Sequence, residues 1–149
     1  LGTYWFLALA GIIAQFASII DGSDGEVARL KYLSSDYGRW VDAVLDRYAD
    51  AFLLFGLTWY VYRQYLSSWA LAIGFSAIIG TFMLSYTADK YDKLMKNRIQ
   101  KGIRIGRDVR VFLIFLGAIF NQAYLILIVI AVLMNLETIR RIVICQNDK

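Results

Sequence analysis

The sequence predicts an all-α fold, a polytopic membrane helix bundle. Three observations predict it. The 149 residues are 59% hydrophobic, with a mean hydropathy of +0.53, and a soluble domain is nearer half apolar. The apolar residues gather into five runs, near residues 1–20, 41–66, 69–88, 111–120 and 123–136, instead of alternating as half-buried strands do. Proline is absent, so nothing along the chain breaks a long helix.

A helix needs roughly 20 residues to cross the hydrocarbon layer. The first three runs meet that length directly. The fourth is short of it unless its helix begins near Arg107 or earlier, and the fifth meets it if it continues to about Ile144. With these extensions the spans fall at about 1–20, 38–66, 68–88, 105–120 and 123–144 of a single membrane domain covering 1–149. Asn121 and Gln122 divide an otherwise continuous apolar stretch and predict a tight turn there. The alternative is one helix from Val109 to Ile144. Gly56, Gly74, Gly80 and Gly117 are small residues that let helices approach closely in a bilayer.

Loop charge orients the bundle. Eight basic residues lie between Asp89 and Arg110, Arg140, Arg141 and Lys149 lie near the end, and Arg29, Lys31, Arg39 and Arg47 surround an acidic stretch. The other two connections, 63–68 and 121–122, carry one Arg and no charge respectively. Alternating spans place every basic loop on one side, which the positive-inside rule assigns to the cytoplasm. Tyr4, Trp5, Trp59, Tyr60, Tyr62, Tyr65 and Trp69 then form an aromatic belt at the opposite surface. The expectation is a multi-pass cell-membrane protein whose site faces the cytoplasm. The first residue is apolar and is not Met, and the N-terminus falls on the outer side. A missing earlier span is therefore expected.

Composition also limits the chemistry. No His is present and the single Cys is Cys145, so an internal disulfide and a zinc site are excluded. A general base must be a carboxylate, Lys, Tyr or that thiol. Six of the twelve acidic residues fall between positions 21 and 46: Asp21, Asp24, Glu26, Asp36, Asp42 and Asp46. Carboxylates between apolar segments require water, a counter-charge or a metal. Asp21, Asp24, Gly25 and Ala28 follow i, i+3, i+4, i+7 spacing and share one helical face, while Gly38, Asp42 and Asp46 share another. Four carboxylates aimed at one volume repel unless neutralised. Two divalent cations would neutralise them, and hard oxygen donors favour Mg2+, with Mn2+ also suited. Two such ions are a known arrangement for phosphoryl chemistry. Gly25, Ala28 and Gly38 leave space for a flat base or a diphosphate, and Arg29 can pair with a phosphate. Read one at a time, these acids are a solvated loop beside a membrane segment. Asp36 stays in that class, and Asp50 extends the Asp42–Asp46 stripe by one turn.

The pattern Asp21-x2-Asp24-Gly25-x2-Ala28-Arg29-x8-Gly38-x3-Asp42-x3-Asp46 resembles the signature of the CDP-alcohol phosphotransferases at all eight fixed positions. That family has six spans, with the motif joining the second and third, so the five seen here resemble the second to sixth. The resemblance implies that a CDP-alcohol donates its phosphoryl-linked group to an alcohol and releases CMP. It implies that Asp21, Asp24, Asp42 and Asp46 surround two metals and that Asp46 is the catalytic base. Asp21, Gly25, Ala28, Arg29 and Gly38 would hold the cytidine diphosphate. Homodimers are common in the family, although no residue here derives one.

Arg104, Arg107 and Arg110 are spaced i, i+3, i+6 at the mouth of the fourth span. Facing inward, they would bind a second phosphate. The surrounding Lys residues read as contacts to anionic headgroups, and nucleic acid is not an expected partner. IGRDVR before an apolar span resembles the branch whose acceptor is a phosphorylated inositol. Within it, CDP-inositol as donor is favoured over CDP-diacylglycerol, making a compatible solute and not a phospholipid. In that branch the domain is often fused to a soluble cytidylyltransferase. Two rivals come from other classes. An ion or metal transporter would use the acids as a translocation site, but they sit at one face, and only Asp50 continues them inward. A structural anchor leaves the eight-position pattern unexplained.

Overall fold

A computed structural model describes the backbone of residues 2–30, 35–95 and 106–146, and the side chains of 4–23, 35–88, 91 and 106–146. The described residues form five α-helices and no strand: α1 (Gly2–Leu30), α2 (Asp36–Tyr65), α3 (Ser68–Met95), α4 (Arg107–Ile119) and α5 (Ala123–Gln146). At 1.5 Å per residue the first three are each longer than the roughly 30 Å hydrocarbon layer, so their polar ends can project beyond it. Among the described residues, three stretches are long and apolar enough to cross a bilayer: Tyr4–Ser23, Ser68–Ala88 and Ala123–Gln146. All the charges of α2 except Arg63 in its last turn lie in its first half, and α4 is 13 residues long.

Local chemistry sets the helix ends. Ser35 begins α2: its extended backbone (φ −107°, ψ 156°) lets Oγ accept from the Gly38 N–H at 3.0 Å, satisfying one of the unpaired first-turn donors. A Cβ at Gly38 would stand 3.1 Å from that Oγ, so the missing side chain also serves the cap. Leu66 closes α2 with φ 48° and donates its N–H to the Tyr62 carbonyl at 2.7 Å. Asn121, φ 54°, makes the turn between α4 and α5, a conformation Asn tolerates better than most residues.

The core runs down the middle of the bundle. Leu54, Leu57 and Val61 of α2 meet Ala70, Ala77 and Leu84 of α3, Ile114 of α4, and Leu127, Ile130 and Met134 of α5. α3 packs on α5 and on α2, α4 packs on α5, and α1 packs on α4. Large apolar side chains point outward all along the helices, among them Phe6, Phe16, Phe52, Phe55, Phe75 and Ile142. That surface suits lipid and not water, and the molecule is an all-α membrane bundle. Polar ties close the end away from the acidic stretch: Tyr4 Oη donates to the Ile119 carbonyl (2.8 Å) and Tyr60 Oη to Asn121 Oδ1 (3.3 Å). Rings gather there too, with Tyr65 and Tyr124 5.3 Å apart.

Candidate functional site

The opposite end holds the charges. α1 continues without a break through Asp21 to Leu30, so the first half of the acidic motif is helical. Asp42, Asp46 and Asp50 follow at four-residue steps along α2, which stacks them on one face. Carboxylate oxygens of Asp21, Asp42 and Asp46 all lie within 4.8 Å of one another. Two consecutive helices thus supply one acidic volume. The Asp24 side chain, like those of Gly25, Ala28 and Arg29, lies outside the described residues, although the α1 backbone carries all four.

Arg107, the first residue of α4, reaches into this volume. Its Nη1 donates to Asp21 Oδ2 at 2.5 Å and also pairs with Asp46 Oδ1. Arg110, one turn later and 5% exposed, donates through Nη2 to the buried Asp50 Oδ2 at 2.5 Å. Asp50 also lies 3.9 Å from Arg107 Nε. The Asp50 stripe position therefore holds the two arginines beside the acidic cluster. Arg104 lies outside the described residues.

A cavity of about 220 Å³ opens here, lined by Asp46, Arg47, Asp50, Arg107, Arg110 and Arg141 together with Leu84, Ser85, Ala88 and Gly106. Four guanidinium groups against two carboxylates make it an anion site in chemistry. Arg107 Nε and Arg110 Nε are buried without a hydrogen-bond partner, so each has a donor to give to an incoming acceptor oxygen. Arg47 and Arg141 were not expected here. Arg47 follows Asp46, and its Nη1 is held by the Ala43 carbonyl at 2.8 Å. Arg141 comes from α5, 31 residues after Arg110 in sequence, and no local pattern ties it to the site.

The acidic donor set fits a hard dication. Three carboxylates converge, they are exposed or half-buried, and the cation now among them is the Arg107 guanidinium, whose residue also lines the adjoining cavity. A second, apolar cavity of about 450 Å³ lies between α1, α2 and α4, lined by Phe6, Leu7, Ala10, Gly11, Phe52, Leu53, Gly56 and Leu57 among others.

Comparison with known proteins shows what the chain is similar to. The chain matches the family model described as CDP-alcohol phosphatidyltransferase over residues 2–143. It is 31% identical over 153 aligned residues to the "Bifunctional IPC transferase and DIPP synthase" of Aquifex aeolicus, covering 98% of this chain and 35% of that protein. It is 34% identical over 145 residues to the protein of the same name from Rubrobacter xylanophilus, with 96% and 32% covered. It is 30% identical over 134 residues to the "Archaetidylinositol phosphate synthase" of Pyrococcus horikoshii, with 90% and 68% covered. The chain spans about a third of the length of the two bifunctional relatives.

Proposed function

The chain belongs to the CDP-alcohol phosphotransferase family and is a transferase, and on that premise we propose that it moves a phosphoryl-linked alcohol from a CDP-alcohol, CDP-inositol by preference, to a hydroxyl of an inositol phosphate. One observation carries this reading. Asp46 belongs both to the acidic cluster and to the wall of the arginine-lined cavity. A carboxylate thus stands between a place suited to a metal-bound diphosphate and a place suited to a second phosphate.

Asp21, Asp42 and Asp46, with Asp24 by family likeness, would hold divalent cations, Mg2+ by preference and two in number. Bound there, the cations would neutralise the diphosphate and the departing CMP. The chain's own residues do the rest. Gly25, Ala28, Arg29 and Gly38 would admit the cytidine diphosphate along the ends of α1 and α2. Arg107 and Arg110 would receive the acceptor's phosphate through their unpartnered Nε–H groups, with Arg141 on the facing wall. That placement presents an acceptor hydroxyl to Asp46. The hydroxyl oxygen bonds to the phosphorus that carries the alcohol, the bond to the bridging oxygen breaks, CMP leaves, and the proton passes to an Asp46 oxygen. The site would face the cytoplasm in a multi-pass arrangement of five spans, supported by the basic residues at this end and the aromatic ones at the other. The DIPP synthase relatives favour CDP-inositol, and their bifunctional names favour a soluble cytidylyltransferase joined to this domain in the whole protein.

A second reading rests on the apolar cavity between α1, α2 and α4. It lies on the lipid side of the helices that carry Asp21 and Asp46, and acyl chains of CDP-diacylglycerol would fit it, with phosphatidyl transfer as the outcome. The experiment that separates the two offers inositol 1-phosphate with each donor and measures CMP release. Preferential turnover of CDP-inositol is expected. Turnover confined to CDP-diacylglycerol moves the protein to phospholipid synthesis, and release of CMP from neither returns the acids to an ion path.

A further inference from the structure

Glu137 is a buried acid that the reaction as proposed does not use. It lies on α5, 8% exposed, in a helix apolar enough to cross a bilayer. A carboxylate in such a helix is costly unless it is paired and hydrogen-bonded. It is paired twice. Arg140 approaches it with two parallel bonds, Nε to Oε2 at 2.7 Å and Nη2 to Oε1 at 2.8 Å. Arg141 donates its Nε–H to Oε1 at 3.1 Å.

The two arginines differ in surroundings. The Arg140 side chain is 46% exposed, and that of Arg141 is 9% exposed. Neutralising Glu137 needs one of them, and the exposed one already does so in the fork geometry that suits a carboxylate. The trio therefore carries one surplus positive charge, and Arg141, the buried member, lines the 220 Å³ cavity. Apolar packing in place of a buried ion cluster is often neutral or stabilising, so stability alone is a weak reason for the trio.

Arg141 is also held from α3. Its Nη1 donates to the Leu84 carbonyl at 3.0 Å, and its guanidinium lies 5.2 Å from the centre of the Tyr91 ring. Nε is committed to Glu137 and one Nη1 proton to Leu84. Of the five N–H donors of a guanidinium, three have no hydrogen-bond partner among the described residues. A guanidinium anchored at Nε and Nη1 holds its Nη2 in a fixed direction, and a fixed donor costs less ordering when an anion arrives.

We infer that Glu137 is a positioning residue for the acceptor: it anchors Arg141 by its Nε edge so that the remaining donors face the arginine-lined cavity and receive the acceptor's phosphate. The inference rests on the reading of that cavity as the acceptor site. The buried carboxylate acts at one remove, touching no substrate.

The test uses the full chain in detergent with CDP-inositol and inositol 1-phosphate, measuring KM for each and kcat. A second readout follows the stabilisation of the protein by inorganic phosphate in a thermal shift, with no turnover involved. Glu137→Gln should raise the acceptor KM by about tenfold, the loss of one charge-assisted contact, with the donor KM unchanged and the phosphate shift reduced. In an Arg141→Gln background it should add nothing further. Glu137→Asp keeps the charge and withdraws it by one methylene, so an intermediate rise is expected; this variant carries the test should Glu137→Gln not fold. A raised acceptor KM in Arg141→Gln with none in either Glu137 variant overturns the inference and leaves the acceptor site standing. So does an equal change in donor and acceptor KM in the Glu137 variants. Should Arg141→Gln and Arg110→Gln both leave the acceptor KM and the phosphate shift unaltered, the acceptor reading falls, and the role of Glu137 falls with it.

Discussion

Arg107 stands where two chemistries meet. Its Nη1 pairs with Asp21 and Asp46, and the residue also lines the arginine-rich cavity. A guanidinium among carboxylates competes with a dication for the same oxygens. Removing it should affect the two substrates unequally: Arg107→Ala and Arg110→Ala are expected to raise the acceptor KM more than the donor KM, measured in steady-state turnover, and the reverse order would remove the acceptor-site reading. Asp46→Asn keeps the shape of the side chain and removes its basicity. It should lower kcat by about 10²–10⁴, the usual share of a positioned base, with donor binding by calorimetry largely retained. Equal loss of donor binding would make Asp46 a metal ligand alone. Asp50 and Arg110 form a pair with both members 5% exposed. Asp50→Asn would leave the Arg110 charge in the interior facing only a neutral amide, so a loss of about 3–5 kcal/mol is expected, visible as a lowered Tm in detergent. An unchanged Tm would mean that water already reaches the pair.

At the scale of elements, glycines decide how close the helices come. A Cβ at Gly74 of α3 would overlap the side chain of Thr58 on α2. Thr58 is buried and its hydroxyl donates to the Leu54 carbonyl at 2.6 Å, so it has little room to yield. At Gly11 a Cβ would meet the Ala118 methyl at 2.6 Å, and at Gly117 it would meet Ile126 Cγ1 at 2.6 Å. These are the α1–α4 and α4–α5 contacts, and through α4 they place Arg107 and Arg110. Gly56 has nothing within 4 Å of its missing Cβ and faces the apolar cavity. The paired prediction is that Gly74→Ala destabilises by about 1–3 kcal/mol, whereas Gly56→Ala is neutral or slightly stabilising because alanine favours helix. Thermal unfolding of both in one detergent compares them, and equal Tm values would show that α2 and α3 can move apart freely.

The whole molecule has two unlike ends. One gathers Asp21, Asp42, Asp46 and the arginines; the other gathers Tyr4, Tyr60, Tyr65, Tyr124 and the uncharged turn at Asn121. The proposed orientation makes the first end cytoplasmic, and Cys145, the single cysteine, lies near it on the last turn of α5. A membrane-impermeant maleimide should therefore label Cys145 in inverted vesicles and not in intact cells. Asn121→Cys in a Cys145→Ser chain should show the reverse. Labelling of Cys145 from outside would invert the topology.

The sequence by itself determined the helical membrane class, the family, and the gathering of Asp21, Asp42 and Asp46. The class follows from hydropathy and the lack of proline, the family from resemblance at the eight-position acidic pattern, and the carboxylate faces from helical spacing, all of which act within one helix or across one short connection. The turn at Asn121 was legible for the same reason, since a polar pair in an apolar run has few alternatives. Only the tertiary structure decided what sits beside that cluster. The packing of α4 on α1 and α5 brings Arg107 onto Asp21 and Arg110 onto Asp50, and the packing of α5 on α3 sets Arg141 in the same cavity with Glu137 behind it. Contacts between side chains tens of residues apart depend on helix rotation and separation, and in a bilayer those are set by which small residues meet, a choice that periodicity along any single helix does not record.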